Sequence, residues 1–404
     1  MSGRAGRLRP VPIDPTAATA DTPLLPRYGE RSLAEVLPAV LAALGVAGAG
    51  APDGPVLAPV RAACVLLVDG LGAELLAAHP ADAPFLTGLA EAGPLTVGFP
   101  SSTSISLASL GTGLAPGGHG IVGIQFDPGD HELLDSLHWT RRNADGGSDD
   151  QRAHLVPELV QPTPTALQRA AGDGITVSVV APSFQRESGL TRAALRGGRF
   201  RAVHALGDLA ARVVTALEAP GRALCYAYHA DLDLLGHLHG PGSPAWRWQL
   251  RQIDQLVATI HEQLPPDAML LVTGDHGMVT VTRSYDADTD DAMQLGVALL
   301  GGDARARHVY TRPGATADVL AVWTELLGDD AWVTTRDEAV TANWFGPLGP
   351  HVASRIGDVV VAMRGGAVVV RTTAEARLAR LVGQHGSLTG AEQLVPLLVS
   401  GPRG

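Results

Sequence analysis

The sequence predicts an α/β fold in which a mostly parallel sheet is covered by helices on both faces. Short apolar runs ending in Asp, His or Gly recur along the chain, and segments of helical spacing fall between them. The runs are apolar at nearly every position rather than at every second one, the pattern of strands buried on both faces. Alternation of such strands with helices argues for a parallel sheet built from crossover units.

In chain order, residues 1–30 are rich in Pro and small polar residues and read as a loosely ordered arm. LAEVLPAVLAALG (33–45) has helical spacing, and AACVLLVDG (62–70) is a buried strand closed by Asp69 and Gly70. A helix is expected at 73–78, followed by the uncharged, hydroxyl-rich FPSSTSISLASLGTGLAPGGHG (99–120). Residues 127–160 read as an irregular excursion near the site. Further strands are expected in ITVSVVAP (175–182), ALCYAYHA (223–230) and AMLLVTGDHG (268–277), with amphipathic helices in 163–172 and 208–219. The texture changes at about 280, where RHVYTRPG, AWVTTRDEAV and IGDVVVAMRGGAVVVR suggest a small mixed α+β module with a helix at 317–327. The chain returns at GQHGSLTGAEQLVPLLV (383–399), read as a loop followed by a helix. The expected organisation is therefore a core formed by 31–280 and 381–404, with an inserted cap at 281–380.

Composition bounds the function. The 404 residues carry a net charge of -11, which argues against a nucleic-acid polymer or an anionic membrane as partner, since both need clustered cations. There is no Lys, which excludes a P-loop and Schiff-base chemistry. Cys64 and Cys225 lie in apolar runs and read as reduced core thiols. The N-terminus lacks a long apolar segment, and no run reaches the ~18 apolar residues of a membrane span, so a cytoplasmic location is expected.

The chemistry gathers at strand ends, where open α/β sheets bind ligands. Asp69 follows CVLLV, and Asp275 and His276 follow MLLVTG. After ALCYAY comes HADLDLLGHLHGPGS, in which Asp233 and His237 are four apart and would share one helix face. His385 lies between two glycines in GQHGS. Each feature alone is ordinary: an Asp after a strand is a common cap, and a D-x-x-x-H pair a common solvated face. Together, three Asp and three His would supply two three-ligand zinc sites, each with an open position. Two such ions clamp a phosphoryl group from both sides, and a hydroxyl between them is acidified enough to act as a nucleophile. That gives the hydroxyl-rich segment a purpose.

The motifs VDGLG, FPSSTSISLASLGTGLAPGGHGIVG, DLDLLGHLHGP, TGDHGM and GQHGS, in this order over residues 62–390, resemble the alkaline phosphatase superfamily, and within it the type I phosphodiesterase/nucleotide pyrophosphatase family. The resemblance implies an alkaline-phosphatase-like three-layer α/β/α sandwich with a small inserted cap. It implies Thr103 as nucleophile, with Ser101, Ser102 and Ser104 as competitors. Asp69, Asp275 and His276 would hold one zinc together with Thr103, and Asp233, His237 and His385 the other; Asp231 competes with Asp233. His119, His229 and His239 are left as structural. The implied activity is hydrolysis of phosphodiester or pyrophosphate bonds in nucleotide-type or related small molecules through a phospho-threonine. Where nucleotide phosphodiesterases of the family carry Asn three residues after the nucleophile, this chain has Ser106, the expected substrate-binding hydroxyl. The alternatives are a phosphonoacetate-like phosphonate hydrolase, a phosphomonoesterase using Arg141, Arg142 or Arg186, a phosphomutase, or a non-catalytic binding relative. Trp139, Phe184 and Trp246 are the aromatic candidates for a base slot, with packing as the simpler reading of each.

Overall fold

The computed structural model describes residues 22–401 apart from 144 and 146. Its centre is a seven-stranded sheet of β1 (Ala62–Val68), β2 (Ala90–Glu91), β3 (Thr176–Pro182), β4 (Arg199–Val203), β5 (Ala223–His229), β6 (Ala268–Thr273) and β7 (Leu397–Ser400), in the order β2-β7-β6-β1-β5-β3-β4. The run from β6 to β4 is parallel, whereas β7 is antiparallel to both β6 and β2. Every residue of β1 is buried, which is why its sequence is apolar throughout.

Alternate residues of β1 face different helical layers. Ala63, Val65 and Leu67 belong to one apolar cluster with α1 (Val36–Ala43), α2 (Thr103–Thr112) and α3 (Ala166–Gly172). Ala62, Cys64, Leu66 and Val68 belong to a second, with α4 (Leu206–Leu217) and α6 (Pro244–Glu262); the short α5 (Asp231–His239) packs against α6. Three layers, α/β/α, result. Cys64 and Cys225 are register partners on β1 and β5, both buried and free.

A four-stranded antiparallel sheet, in the order 297–302, 306–311, 359–363, 331–335, carries α7 (Thr316–Leu327) on one face. Val319, Trp323 and Leu327 of α7 meet Val359, Val361 and Met363 in an apolar cluster of their own.

Three expectations are corrected. Of the expected arm, residues 1–21 lie outside the described residues, but 22–30 are tied down. Leu24 N–H donates to the Leu388 carbonyl, Arg27 N–H to Thr96 Oγ1 and the Tyr28 hydroxyl to the Trp344 carbonyl, each at 2.8 Å. The stretch 127–160 is not irregular: strands at 125–126, 134–135, 140–142 and 148–150 form a small antiparallel sheet, and Pro157–Val160 adds a helical turn. Two- and three-residue strands are too short to show an alternating pattern. After His385 the helix is only Gly390–Gln393, and LLVS is β7. Pro396 disfavours a helix through it, and the apolar run beyond gains a place against β6. No helix among the described residues is long and apolar enough to cross a membrane.

Candidate active site

Because β6, β1 and β5 are parallel neighbours, their C-terminal ends open on one edge. That edge brings together Asp69 after β1, Asp275 and His276 after β6, and Asp233 and His237 on α5 after β5. Asp69 N–H donates to the His229 carbonyl and Gly70 N–H to Asp275 Oδ1, tying the three strand ends. Gly70 is required here. Its φ is +74°, and a Cβ would lie 3.0 Å from Asp233 Cα. His385 joins from the loop before β7, its ring stacked on that of His276 with centroids 3.5 Å apart.

The side chains form one cluster, buried except for the half-buried Asp233 and His237. His276 Nε2 lies 3.4 Å from Asp69 and 3.5 Å from Asp275, while Asp233 lies 3.3 Å from His237 Nε2 and 3.7 Å from His385 Nε2. The structure thus brings all six expected ligands together. Two ligand sets are compact enough for one ion each: Asp233, His237 and His385, and Asp69, Asp233 and His276. Asp233 stands between the sets, and Asp275 borders the second. Asp231, the competitor, is exposed.

The donor set fits divalent cations on three counts. Asp69 Oδ1, Asp233 Oδ1 and Asp275 Oδ2 are buried without a hydrogen-bond partner, a costly arrangement unless something positive meets them. All three His rings donate Nδ1–H to a backbone carbonyl: His237 to Gly383 at 2.7 Å, and His276 to Gly277 and His385 to Ser101 at 2.9 Å. A carbonyl only accepts, so in the neutral ring each Nε2 carries the lone pair and turns it to the cluster, the tautomer of a metal ligand. Finally, among the described residues no Arg pairs with these three carboxylates.

The protonation preferences say the same. Burial, followed by the charges of Asp275 and Asp233, holds Asp69 well above the usual carboxylate range. Burial pushes Asp275 up to about 7 and His276 down to about 3. Burial and then the neighbouring His276 hold His385 well below its ordinary value. For the coupled pair burial opposes ionisation of both partners, but their mutual attraction wins: Asp233 is lowered and His237 raised. Buried like charges protonate unless a cation offsets them.

Thr103 opens α2 with its Oγ1 3.3 Å from His276 Nε2. Its competitors are engaged elsewhere: the hydroxyl of Ser101 donates to the Ser387 carbonyl, that of Ser102 to Asp303, and that of Ser104 accepts from Ser136. Ser102 is the residue that would cap α2, and its hydroxyl is not used for the cap. Among the described residues nothing accepts the N–H of Thr103 or Ser104. An uncapped first turn beside the Thr103 hydroxyl is a ready seat for an anionic oxygen.

Ser106 is corrected. It is fully buried, and its hydroxyl donates to the Asp275 carbonyl at 2.6 Å, which supports the Asp275 loop instead of facing a substrate. Trp139 and Trp246 are core residues, and Phe184 is exposed. His119 and His229 are buried and bonded to Ser109 and Gln249, while His239 is exposed on α5.

Two contributors escape the sequence reading. Tyr228, on β5, donates its hydroxyl to Asp69 Oδ2. Asp303 lies at the turn between strands 297–302 and 306–311. Its Oδ1 accepts from Arg305 and Ala306 N–H, both at 2.9 Å, and its Oδ2 from Ser102 Oγ at 2.6 Å. Gly386, beside His385, has φ +140°, and a Cβ there would lie 2.3 Å from Asp303 Oδ1. The alternating tyrosines of ALCYAY were the available signal for Tyr228; for Asp303 there was none.

Comparison with known proteins agrees with this geometry. The family model described as type I phosphodiesterase / nucleotide pyrophosphatase matches residues 63–388. Among curated proteins the chain is 37% identical over 73 residues to the catalytic subunit of GPI ethanolamine phosphate transferase 3 of Homo sapiens (18% of this chain, 6% of that one). It is 29% identical over 162 residues to phosphopentomutase of Anaeromyxobacter dehalogenans (38% and 39%) and 36% identical over 61 residues to ectonucleotide pyrophosphatase/phosphodiesterase family member 7 of Homo sapiens (14% and 13%). These matches span well under two thirds of each curated relative. Among solved structures, murine ectonucleotide pyrophosphatase / phosphodiesterase 5 superposes with a TM-score of 0.65 at 16% identity, over 84% of this chain and 88% of that one. An inactive variant of that murine protein in complex with AMP superposes with a TM-score of 0.63, also at 16% identity and with the same coverage. At such identity the likeness is one of fold. The family match spans most of the chain and includes every residue of the cluster: this chain is a member of the type I phosphodiesterase / nucleotide pyrophosphatase family of hydrolases, within the alkaline phosphatase superfamily.

Proposed function

We propose that this chain hydrolyses phosphodiester or pyrophosphate bonds in nucleotide-type or related small molecules, with Thr103 as nucleophile and a phospho-threonine as intermediate. The observation that carries the reading is the convergence of Thr103, three Asp and three His at one sheet edge, with three carboxylate oxygens left unpartnered. Asp69, Asp275 and His276 would hold one divalent ion and Asp233, His237 and His385 the other, the mixed Asp and His donors favouring zinc. Bound there, the ions supply the positive charge that acidifies a hydroxyl or a water and offsets the charge of the phosphoryl group.

The protein's own groups do the rest. The carbonyls of Gly277, Gly383 and Ser101 fix the His tautomers, and the Tyr228 hydroxyl fixes one oxygen of Asp69. The free N–H groups of Thr103 and Ser104 bind a non-bridging phosphate oxygen. Thr103 Oγ1 attacks phosphorus as the bond to the leaving oxygen breaks, and water then cleaves the Thr103 ester, releasing the phosphorylated product.

A diester is favoured over a monoester, because the extra anionic oxygen of a monoester asks for a nearby cation. Arg141 is paired with Asp130 and Glu132, Arg142 binds the Ala374 carbonyl, and Arg186 lies over Phe200. The test compares bis-p-nitrophenyl phosphate with p-nitrophenyl phosphate, with and without Zn²⁺, in wild type and Thr103→Ala. Zinc-dependent diester turnover that falls by on the order of 10³ or more in the variant is expected. Monoester preference, or full activity in the variant, would sink the reading.

A further inference from the structure

We infer that the protein carries a second anion site, remote from the catalytic cluster, that takes a multiply charged phosphate compound. It is a groove of about 770 Å³ along the outer edge of the main sheet, where β4 has no further strand beside it. That edge is two strands beyond β5, and none of the groove's lining residues belongs to the catalytic cluster. Six arginines line it: 186, 192, 196, 199, 201 and 212. The only carboxylate in the lining is Glu187, and Glu158 and Asp208 pair with Arg192 and Arg212. A local excess of three positive charges therefore stands on a chain of net charge -11. The net charge hides this, because it sums over the whole chain while all six cations fall within residues 186–212.

The arginines are of two kinds. Arg192 is bound bidentately by Glu158, and Arg196 donates to the carbonyls of Gln161, Thr163, Arg192 and Ala193, so both hold the wall in place. The other kind has donors to spare. Among the described residues the guanidinium groups of Arg186 and Arg199 make no hydrogen bond or ion pair, and Arg201 uses only Nε, toward Ser178. Arg186 is instead held over the Phe200 ring, 5.3 Å from its centroid.

Two arginines on an outer strand are also the usual device against edge-to-edge pairing. That device needs only the strand's own side chains, whereas Arg186 comes from the turn after β3 and Arg212 from α4. Convergence of fork-shaped donors from separate elements is the geometry that binds phosphate oxygens bidentately. The volume falls in the range of about 300–1,000 Å³ that small ligands occupy. An inorganic polyphosphate and the phosphate tail of a nucleotide present the same chemistry.

The test titrates tripolyphosphate, ATP and adenosine calorimetrically into the metal-loaded protein in a Thr103→Ala background, so that the probes are not consumed. It is repeated with Arg186, Arg199 and Arg201 all changed to Ala, and with Arg199→Glu alone in case the triple variant fails to fold. The expected result is a binding component weakened on the order of tenfold or more, and less sensitive to salt, in the groove variants. Equal weakening for tripolyphosphate and ATP, with no binding of adenosine, identifies the phosphate chain as the ligand. Loss confined to ATP identifies a nucleotide. Unchanged isotherms in both variants would overturn the proposal. So would tighter binding of a hexa-aspartate peptide than of either phosphate probe, which would make the edge a strand-docking surface.

Discussion

Replacing Arg305 by Met is expected to destabilise the protein by about 3–5 kcal/mol, the cost of stranding one partner of a buried ion pair. Arg305 and Glu392 are both fully buried. All five N–H donors of Arg305 are used. Nε and Nη2 meet the two Glu392 oxygens at 3.0 and 2.6 Å, Nη1 serves the carbonyls of Arg364 and Ala367, and the other Nη2 hydrogen that of Met363. Met replaces the aliphatic stem but leaves the Glu392 carboxylate with two of its four hydrogen bonds, those from Ser387 N–H and Thr389 Oγ1. A charge-assisted bidentate contact is lost, and the Ala367 carbonyl loses a donor worth roughly 1 kcal/mol. Changing Glu392 to Met as well removes the stranded charge, so the double variant should lose less than Arg305→Met alone. Urea unfolding followed by tryptophan fluorescence measures both. An Arg305→Met variant within about 1 kcal/mol of wild type, or a double variant less stable than the single, would refute the reasoning.

Tyr228→Phe removes a hydrogen bond to Asp69 and is expected to weaken metal retention about 10- to 100-fold, read by competition with a chelator. Asp303→Ala frees the Ser102 hydroxyl to cap α2 and occupy the first-turn amides proposed to bind phosphate, so KM should rise on the order of tenfold, with kcat changed less. Acid should destabilise the fold through His119 and His308, which burial pushes from 6.5 down to about 3 and about 4. Both are neutral when folded near pH 7, so their contribution is whole above pH 6.5 and falls as pH drops from 6.5 to about 4 for His308 and about 3 for His119, at up to about 1.4 kcal/mol per pH unit for each. Urea midpoints at pH 7 and pH 5 measure the effect, and equal midpoints would contradict it.

What the sequence made legible is what lies close together along the chain. A run such as CVLLVDG carries both a strand and the group at its end, and parallel pairing then brings Asp69, Asp275 and Asp233 to one edge without further information. Misreadings came where partners are distant in sequence. LLVS is a strand because β6 offers it a partner more than 120 residues upstream. Ser106 reads as a free hydroxyl until the fold sets the Asp275 carbonyl 2.6 Å away. The arginine groove differs: its six arginines lie close together at 186–212, but net charge sums over the chain while binding depends on where the charges gather.

The setting of Thr103 depends on the second sheet as well as on the core. A Ser at the N-cap of a ten-residue helix would ordinarily bond the first-turn amides and add about 1 kcal/mol of stability. Here that hydroxyl is given to Asp303, which is fixed by two backbone N–H groups at the turn between strands 297–302 and 306–311. Two residues on, Arg305 grips Glu392, and Glu392 holds Ser387 N–H, two residues after His385. The same turn thus holds the Thr103 loop on one side and the loop of a candidate metal ligand on the other. A segment that reads as a cap over the core is, by these contacts, part of the wall of the site. Changes at that turn should therefore alter phosphate binding beside Thr103 and metal retention together, whereas changes at the far edge around Arg199 should leave both of these intact and touch only the groove.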